Sequence, residues 1–273
     1  MTQDVWMAKH PYLQPVAELH ALVDNAAVEI AIADPTVIDW DNYLDDFHNG
    51  VPLLHSSNAA IDFSTAERVV VLLVEKLGST PLPGKLAEEC RTIAAELRGE
   101  LDGPHRAVAW LLDEGVLESA YPGLLRYLGW TALARYLGPV VNAFASWRGE
   151  ERWLRSYCPT CGSSPAMAQL VGTDPGRRRF LSCGRCSTHW WYRRTGCPFC
   201  ENGDDQRLAV VAVEGEGGLR IDYCESCGGY LKTYDGEGSE SVLLADWTSI
   251  HLDIVAQDRG LKCLAASLYQ LQP

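Results

Sequence analysis

Apolar residues between positions 16 and 147 return at three- and four-residue steps with small, strong helix formers between them, a period that predicts an α-helical domain over 1–150. One helix is expected to open at Ser64, where Ser64-Thr65-Ala66-Glu67 has the form of a capping box, and to end near Gly78. A second is expected from Lys85 to Leu97 with Gly99 as its stop. A third is expected from Pro104, whose missing N–H costs nothing in a first turn. Gly138-Pro139 is expected to break the next one. The stretch 33–57, with Pro35, Gly50, Pro52 and clustered aspartates, reads as connecting loops with at most short helical turns. The apolar run at 69–74 is bounded by Arg68 and Glu75, far short of a bilayer's width, so no membrane span is expected.

After Trp153 the period changes. Short β-rich runs appear at 165–171, 177–182 and 187–193, and the same order returns at 207–213, 219–223 and 230–234, with a turn expected at 214–218. Cys158 precedes Cys197 by 39 residues and Cys183 precedes Cys224 by 41, which marks an internal duplication. The expected fold is therefore α+β: the helical domain, two tandem rubredoxin-like or zinc-ribbon β units over 151–195 and 196–240, and a closing segment over 241–273. That segment is expected to hold an amphipathic helix from about 246 to 269, packed on the rest.

The cysteines give this half its chemistry. They read C-x-x-C, 21 residues, C-x-x-C, 10 residues, C-x-x-C, 23 residues, C-x-x-C. A two-residue gap lets both thiolates of one knuckle face a single ion, and a hairpin bringing two knuckles together completes a tetrahedron. Adjacent pairing gives one site from Cys158, Cys161, Cys183 and Cys186 and a second from Cys197, Cys200, Cys224 and Cys227. The rival is an interleaved cross-brace, against which the duplicated strand order argues. Four sulfurs suit iron and zinc alike, so two metal ions, iron or zinc, are expected. They leave no open position for water or substrate, and no catalytic residue is expected. In the first knuckle Pro159 stiffens the turn and Gly162 is free to take the left-handed conformation; the third keeps Pro198 but lacks the glycine.

Charge narrows the partners. The net −13 falls mostly on residues 1–150, with 21 acidic and 10 basic side chains, against 15 and 13 over 151–273. A helical half this acidic disfavours nucleic acid as a partner. The N-terminus lacks the basic, apolar and small-residue succession of a signal peptide, which points to a cytoplasmic protein, where paired thiols bind metal rather than each other. Between Pro175 and Gly196 lie Arg177, Arg178, Arg179, Arg185, Arg193 and Arg194 with no acid, interleaved with Phe180, Trp190, Trp191 and Tyr192. These arginines, with Trp190 and Trp191, form a candidate partner-binding surface for an acidic or phosphate-rich group. Their plainer role is to face solvent on the strands and neutralise nearby thiolates. His189 is expected to be structural, Cys90 and Cys263 to pack as small hydrophobes, and Asp39, Asp41, Asp45 and Asp46 to form a solvated acidic face.

The runs Cys158-Pro-Thr-Cys-Gly-Ser-Ser-Pro165, Arg179-Phe-Leu-Ser-Cys-Gly-Arg-Cys-Ser-Thr-His-Trp190 and Cys224-Glu-Ser-Cys-Gly-Gly-Tyr-Leu-Lys-Thr233, with the tail Ala245 to Asp253 and Gly260, resemble the formate dehydrogenase accessory protein FdhE family over about 153–260. The resemblance implies a non-enzymatic, cytoplasmic maturation factor. Its partner is the catalytic subunit of formate dehydrogenase, bound before export through the twin-arginine pathway. It further implies rubredoxin-like iron sites at the eight paired cysteines, and homodimers. Two alternatives of other classes stand beside it: a rubredoxin-like electron carrier or thiol redox protein, which needs redox-active iron or a free reactive thiol, and a zinc-ribbon nucleic-acid-binding protein, which needs salt-sensitive binding.

Overall fold

The computed structural model describes residues 2–32, 37–149, 152–173, 176–216, 218–236 and 241–269. They fall into two compact units. One comprises 15–48 and 53–147. The other comprises 1–14, 49–52 and 148–273.

The first unit is helical. It contains α2 (Gln14–Val28), α3 (Trp40–Asn49), α4 (Ser64–Ser79), α5 (Leu86–Gly99), α6 (Gly103–Leu111) and α7 (Pro122–Arg148), following α1 (Gln3–Lys9) of the other unit. The buried face of α4 is Ala66, Val69, Val70, Leu73, Val74 and Leu77, the three-and-four spacing read from the sequence. Helices α4, α5 and α6 pack on one another. Gly103 is needed where α6 begins, because a Cβ there would come within 2.2 Å of the Leu97 carbonyl oxygen.

Three expectations for this unit are corrected. The capping box does not form: Ser64 gives its backbone N–H and its hydroxyl to Asp62, both at 2.9 Å, while Glu67 pairs with His105 at 2.8 Å. Nor does Gly138-Pro139 break the chain, since α7 runs through Pro139. An interior proline costs about 3 kcal/mol, and packing beyond it offsets that. Phe144 and Trp147, on the following turns, lie in an aromatic cluster with Trp40, Tyr43 and Phe47 at centroid distances of 5.2–6.1 Å. Finally, the stretch read as loop contains the ten-residue α3. Asp39 caps its start by accepting the Asp41 N–H, and Tyr43 and Phe47, one turn apart, are its buried face. Pro35 lies outside the described residues.

The second unit is built on one mixed six-stranded sheet of β1 (Pro165–Val171), β2 (Arg178–Cys183), β3 (His189–Tyr192), β4 (Leu208–Ala212), β5 (Leu219–Cys224) and β6 (Tyr230–Asp235), all close to the runs expected. Of the turn expected at 214–218, residue 217 lies outside the described residues. Strand order is β3-β2-β1-β6-β5-β4. Each half is an antiparallel three-stranded meander, and the halves join where β1 and β6 run parallel in the register Met167↔Lys232 to Leu170↔Asp235. The duplicated units are thus fused into a single sheet, which neither half could bury alone.

One core of this unit is formed by Met167, Val211, Leu219, Ile221, Tyr230 and Tyr234 of the sheet with Leu243, Leu252 and Ala256 of the closing segment. Trp6 of α1 enters the same core and donates its indole N–H to the Thr248 carbonyl at 3.1 Å, which is why residues 1–14 group here and not with the helices. The closing segment has the short helix α8 (Ser241–Leu244), a 3-10 turn at Asp246–Ser249 and α9 (Ile250–Asp258). The expected run to 269 stops early, because Gly260 adopts φ +73° and the N–H groups of Gly260 and Leu261 turn back onto Gln257 and Ala256.

Candidate metal centres

The hairpin β1–β2 sets Cys183, the last residue of β2, opposite Pro165, just after the first knuckle; β4–β5 sets Cys224 opposite Leu208 in the same way. Each hairpin therefore delivers two knuckles to one end. All four knuckles fold alike. The N–H of the leading cysteine bonds the carbonyl five residues on: Cys158 to Ser163, Cys183 to Thr188, Cys197 to Asn202 and Cys224 to Gly229, each at 2.9 Å. The residue after the second cysteine is left-handed in every case, at Gly162 (φ +74°), Ser187 (+57°), Glu201 (+57°) and Gly228 (+73°).

Two of these turns therefore carry a side chain where glycine is preferred. Ser187→Gly is expected to stabilise the metal-loaded protein by about 1 kcal/mol, the cost of a left-handed non-glycine residue, read as a shifted urea midpoint. Unchanged or lower stability would show that the turn tolerates serine without strain.

The sulfurs gather into two groups, Cys158, Cys161, Cys183 and Cys186, then Cys197, Cys200, Cys224 and Cys227, the adjacent pairing and not the cross-brace. A tetrahedral ion with metal–sulfur bonds near 2.3 Å has sulfur–sulfur edges of about 3.75 Å. The edges Cys158–Cys186 and Cys161–Cys183 measure 3.5 and 3.4 Å, and Cys197–Cys227 and Cys200–Cys224 measure 3.7 and 3.8 Å. These four edges lie within a few tenths of an ångström of the ideal.

The surroundings of the two groups differ. Burial pushes the Cys158 and Cys183 thiols well above the usual range, whereas coordination to a cation removes the proton outright. At Cys224 burial also pulls upward, but the N–H groups of Cys227 and Ser226 and hydrogen bonds from the Cys200 and Cys197 thiols together outweigh it and bring the thiol down to about 7. All four sulfurs of the first group belong to buried residues, and the Ser163 hydroxyl lies 3.4 Å from Cys161 Sγ. In the second group Cys200 is exposed and Cys227 half-buried. Access should decide lability. Under a chelator with a thiol-alkylating reagent, one equivalent of metal is expected to leave first, with label on Cys197, Cys200, Cys224 and Cys227. Early labelling of Cys158 or Cys183 would contradict this.

The arginine-rich stretch is divided. Arg179 is buried, donates to the carbonyls of Arg193 and Gly196, and lies over the Tyr192 ring. Trp190 is buried with its N–H on the Arg155 carbonyl at 3.1 Å, and Arg177 pairs with Asp235 at 2.5 Å. Arg178, Arg193 and Arg194 are exposed, and Arg185 and Trp191 are half-buried. His189 bonds Ser182 at 2.8 Å and is in neither thiol group. Cys90 is fully buried in α5, and Cys263 packs partly buried against the sheet core.

Sequence reasoning missed one buried cluster, in which Lys232 of β6 donates to the Asp246 carbonyl at 3.1 Å and to Asp253 at 2.8 Å and pairs with Asp246 Oδ1 at 2.6 Å. Tyr230 adds a 2.6 Å hydrogen bond to Asp253.

Four C-x-x-C knuckles on one sheet, in a chain that also folds a helical unit, define a zinc-ribbon-like α+β protein whose thiol clusters fit metal binding. Residues 157–194 match the family model "FdhE, central domain". Among relatives, the chain is 35% identical over 158 residues to the FdhE homolog of Aquifex aeolicus, covering 56% of this chain and 53% of that one. It is 31% identical over 188 residues to protein FdhE of Salmonella dublin, covering 62% and 60%. The chain thus matches between half and three-fifths of these relatives' length. The crystal structure of the FdhE protein from Pseudomonas aeruginosa superposes with a TM-score of 0.61 at 25% identity, over 94% of this chain and 88% of that one. In sequence over these stretches and in fold, the chain is similar to FdhE proteins.

Proposed function

We propose that this protein is a metal-binding accessory factor for respiratory formate dehydrogenase, binding the enzyme's catalytic subunit in the cytoplasm before export. The observation that carries this reading is the pairing of two all-cysteine clusters with a likeness to FdhE proteins in sequence and fold. Four thiolates around each ion leave no coordination site for a substrate, so the centres suit a binding protein better than a catalyst. The ligands are Cys158, Cys161, Cys183 and Cys186, and Cys197, Cys200, Cys224 and Cys227, with iron or zinc as the ion. Bound there, the ion cross-links two knuckles and fixes the end of each hairpin, and iron would add one-electron chemistry. The client surface is drawn from the exposed part of the arginine-rich stretch, Arg178, Arg193 and Arg194 with Trp191 beside them, where planar guanidiniums meet acidic groups.

The test is formate dehydrogenase activity in anaerobically grown cells that lack this protein. Activity is expected to fall severely, to return with the wild type and to stay low with Cys224→Ala. Full activity without the protein would overturn the reading.

A further inference from the structure

Away from the thiol clusters, three segments distant in sequence bring two imidazoles and a carboxylate together. His10 follows α1, Glu216 lies in the connection between β4 and β5, and His251 is in the first turn of α9. One ligand atom from each lies within 4.8 Å of the others. Glu216 offers a different oxygen to each histidine, Oε1 at 2.9 Å from His251 Nε2 and Oε2 at 3.6 Å from His10 Nε2. The rings of His10 and His251 stack at 5.0 Å and 22°.

An ordinary core histidine would be hydrogen-bonded, and His251 is not. Glu216 Oε2 and both ring nitrogens of His251 are buried without a hydrogen-bond partner, although His251 Nε2 is only 2.9 Å from Oε1. A nitrogen and an oxygen this close but not aligned on one another are placed to face a common third atom. Buried polar atoms left unpaired cost free energy, and a cation between them would remove that cost. Bonds near 2.1 Å put neighbouring ligand atoms about 3.0 to 3.4 Å apart in octahedral or tetrahedral geometry, close to both separations found.

Tyr12 and Trp6 hold the His10 ring in place. Tyr12 Oη lies 2.9 Å from His10 Nδ1. With the proton on Nδ1, His10 donates to the tyrosine and turns the Nε2 lone pair toward Glu216, the arrangement metal-bound histidines use. Trp6 backs His10 at a centroid distance of 4.0 Å.

We propose that His10, Glu216 and His251 form a third metal site, which takes a first-row divalent ion such as zinc or cobalt through two imidazole nitrogens and a carboxylate. Its two imidazoles are borderline donors, which sets it apart from the oxygen-only sets that suit magnesium or calcium. Bound there, the ion fastens the N-terminal segment to the β4–β5 turn and α9 within one unit.

The test is cobalt titration of the full chain with both thiol clusters already filled with zinc. One further equivalent is expected, with weak visible bands and no thiolate-to-cobalt charge transfer, and with paramagnetic broadening of the His10 and His251 ring protons. His251→Gln should lose that equivalent while keeping two zinc ions. Glu216→Gln should weaken it by about tenfold or more, a loss that even outer-shell changes cause. The proposal is overturned if the wild type takes up no third equivalent at micromolar cobalt, if charge transfer shows thiolate ligation, or if both variants bind as the wild type does.

Discussion

Cys183→Ser is expected to unfold the sheet-containing unit, not merely to weaken it. Small four-cysteine β units bury too little apolar surface to stand alone, and a four-thiolate metal supplies on the order of 10 kcal/mol of folding free energy. Cys183 closes β2 and is one corner of the first cluster. Its loss leaves three buried sulfurs around an ill-held ion, and β1, joined to β2 on one side and β6 on the other, carries the damage into the second half of the sheet. The signature is a red shift in emission as Trp153 and Trp190, now buried, meet water, together with loss of metal. Cys90→Ala is the control. That residue is equally buried but lies in α5, outside either cluster, and its removal should cost only on the order of 1 kcal/mol. Retention of native emission and two metal ions in Cys183→Ser would contradict the account.

Lys232→Met is expected to destabilise the protein by about 3–5 kcal/mol, the usual result of stripping one partner from a buried ionic group. The ammonium is 3% exposed and is held between Asp246 and Asp253. Burial alone would lower its pKa, but the two carboxylates outweigh burial and raise it. A lysine whose folded pKa is raised contributes its full stabilisation below the unfolded value of about 10.4 and loses it as pH rises through the folded value. The effect of the substitution should therefore be constant across neutral pH and shrink only in strong alkali. Asp253, whose carboxyl is raised chiefly by burial, is left with a like charge nearby when the lysine goes. Adding Asp253→Asn to Lys232→Met should thus recover part of the loss. Urea unfolding of the two variants measures both effects, and a single-variant loss below about 1 kcal/mol, the scale of an exposed pair, would contradict this description.

The contrast between these two predictions shows what the sequence made legible. The eight ligands could be read because each pair lies within four residues and the pairs recur at 39 and 41 residues. The duplication of three β-rich runs followed from the same repeat, and all six strands fall where those runs lie. Lys232 was invisible for the opposite reason, since its partners are 14 and 21 residues away and single charges carry no spacing signal. The parallel joining of β1 to β6 was equally hidden, because it depends on how the two meanders meet and not on any local pattern. Helix α3 was a different kind of miss. Asp39 followed by Tyr43 and Phe47 at helical spacing is a usable signal, but the density of aspartates in 39–46 masked it. Local propensity also misled at Pro139, where aromatic packing overrode it, and at Ser64, whose N–H and hydroxyl go to Asp62. The tail sequence Ala245 to Asp253, noted only as part of a resemblance, proves to supply Asp246 and Asp253 to Lys232 and His251 to the group with His10 and Glu216.

The central proposal is that this protein, with metal in its two thiol clusters, binds the catalytic subunit of formate dehydrogenase. Affinity capture of the tagged full chain from anaerobically grown cells expressing the dehydrogenase tests it most directly. The account predicts that the wild type recovers the catalytic subunit and that Cys224→Ala, which breaks the second thiol cluster, does not. A metal-loaded wild-type chain that recovers no dehydrogenase would contradict it.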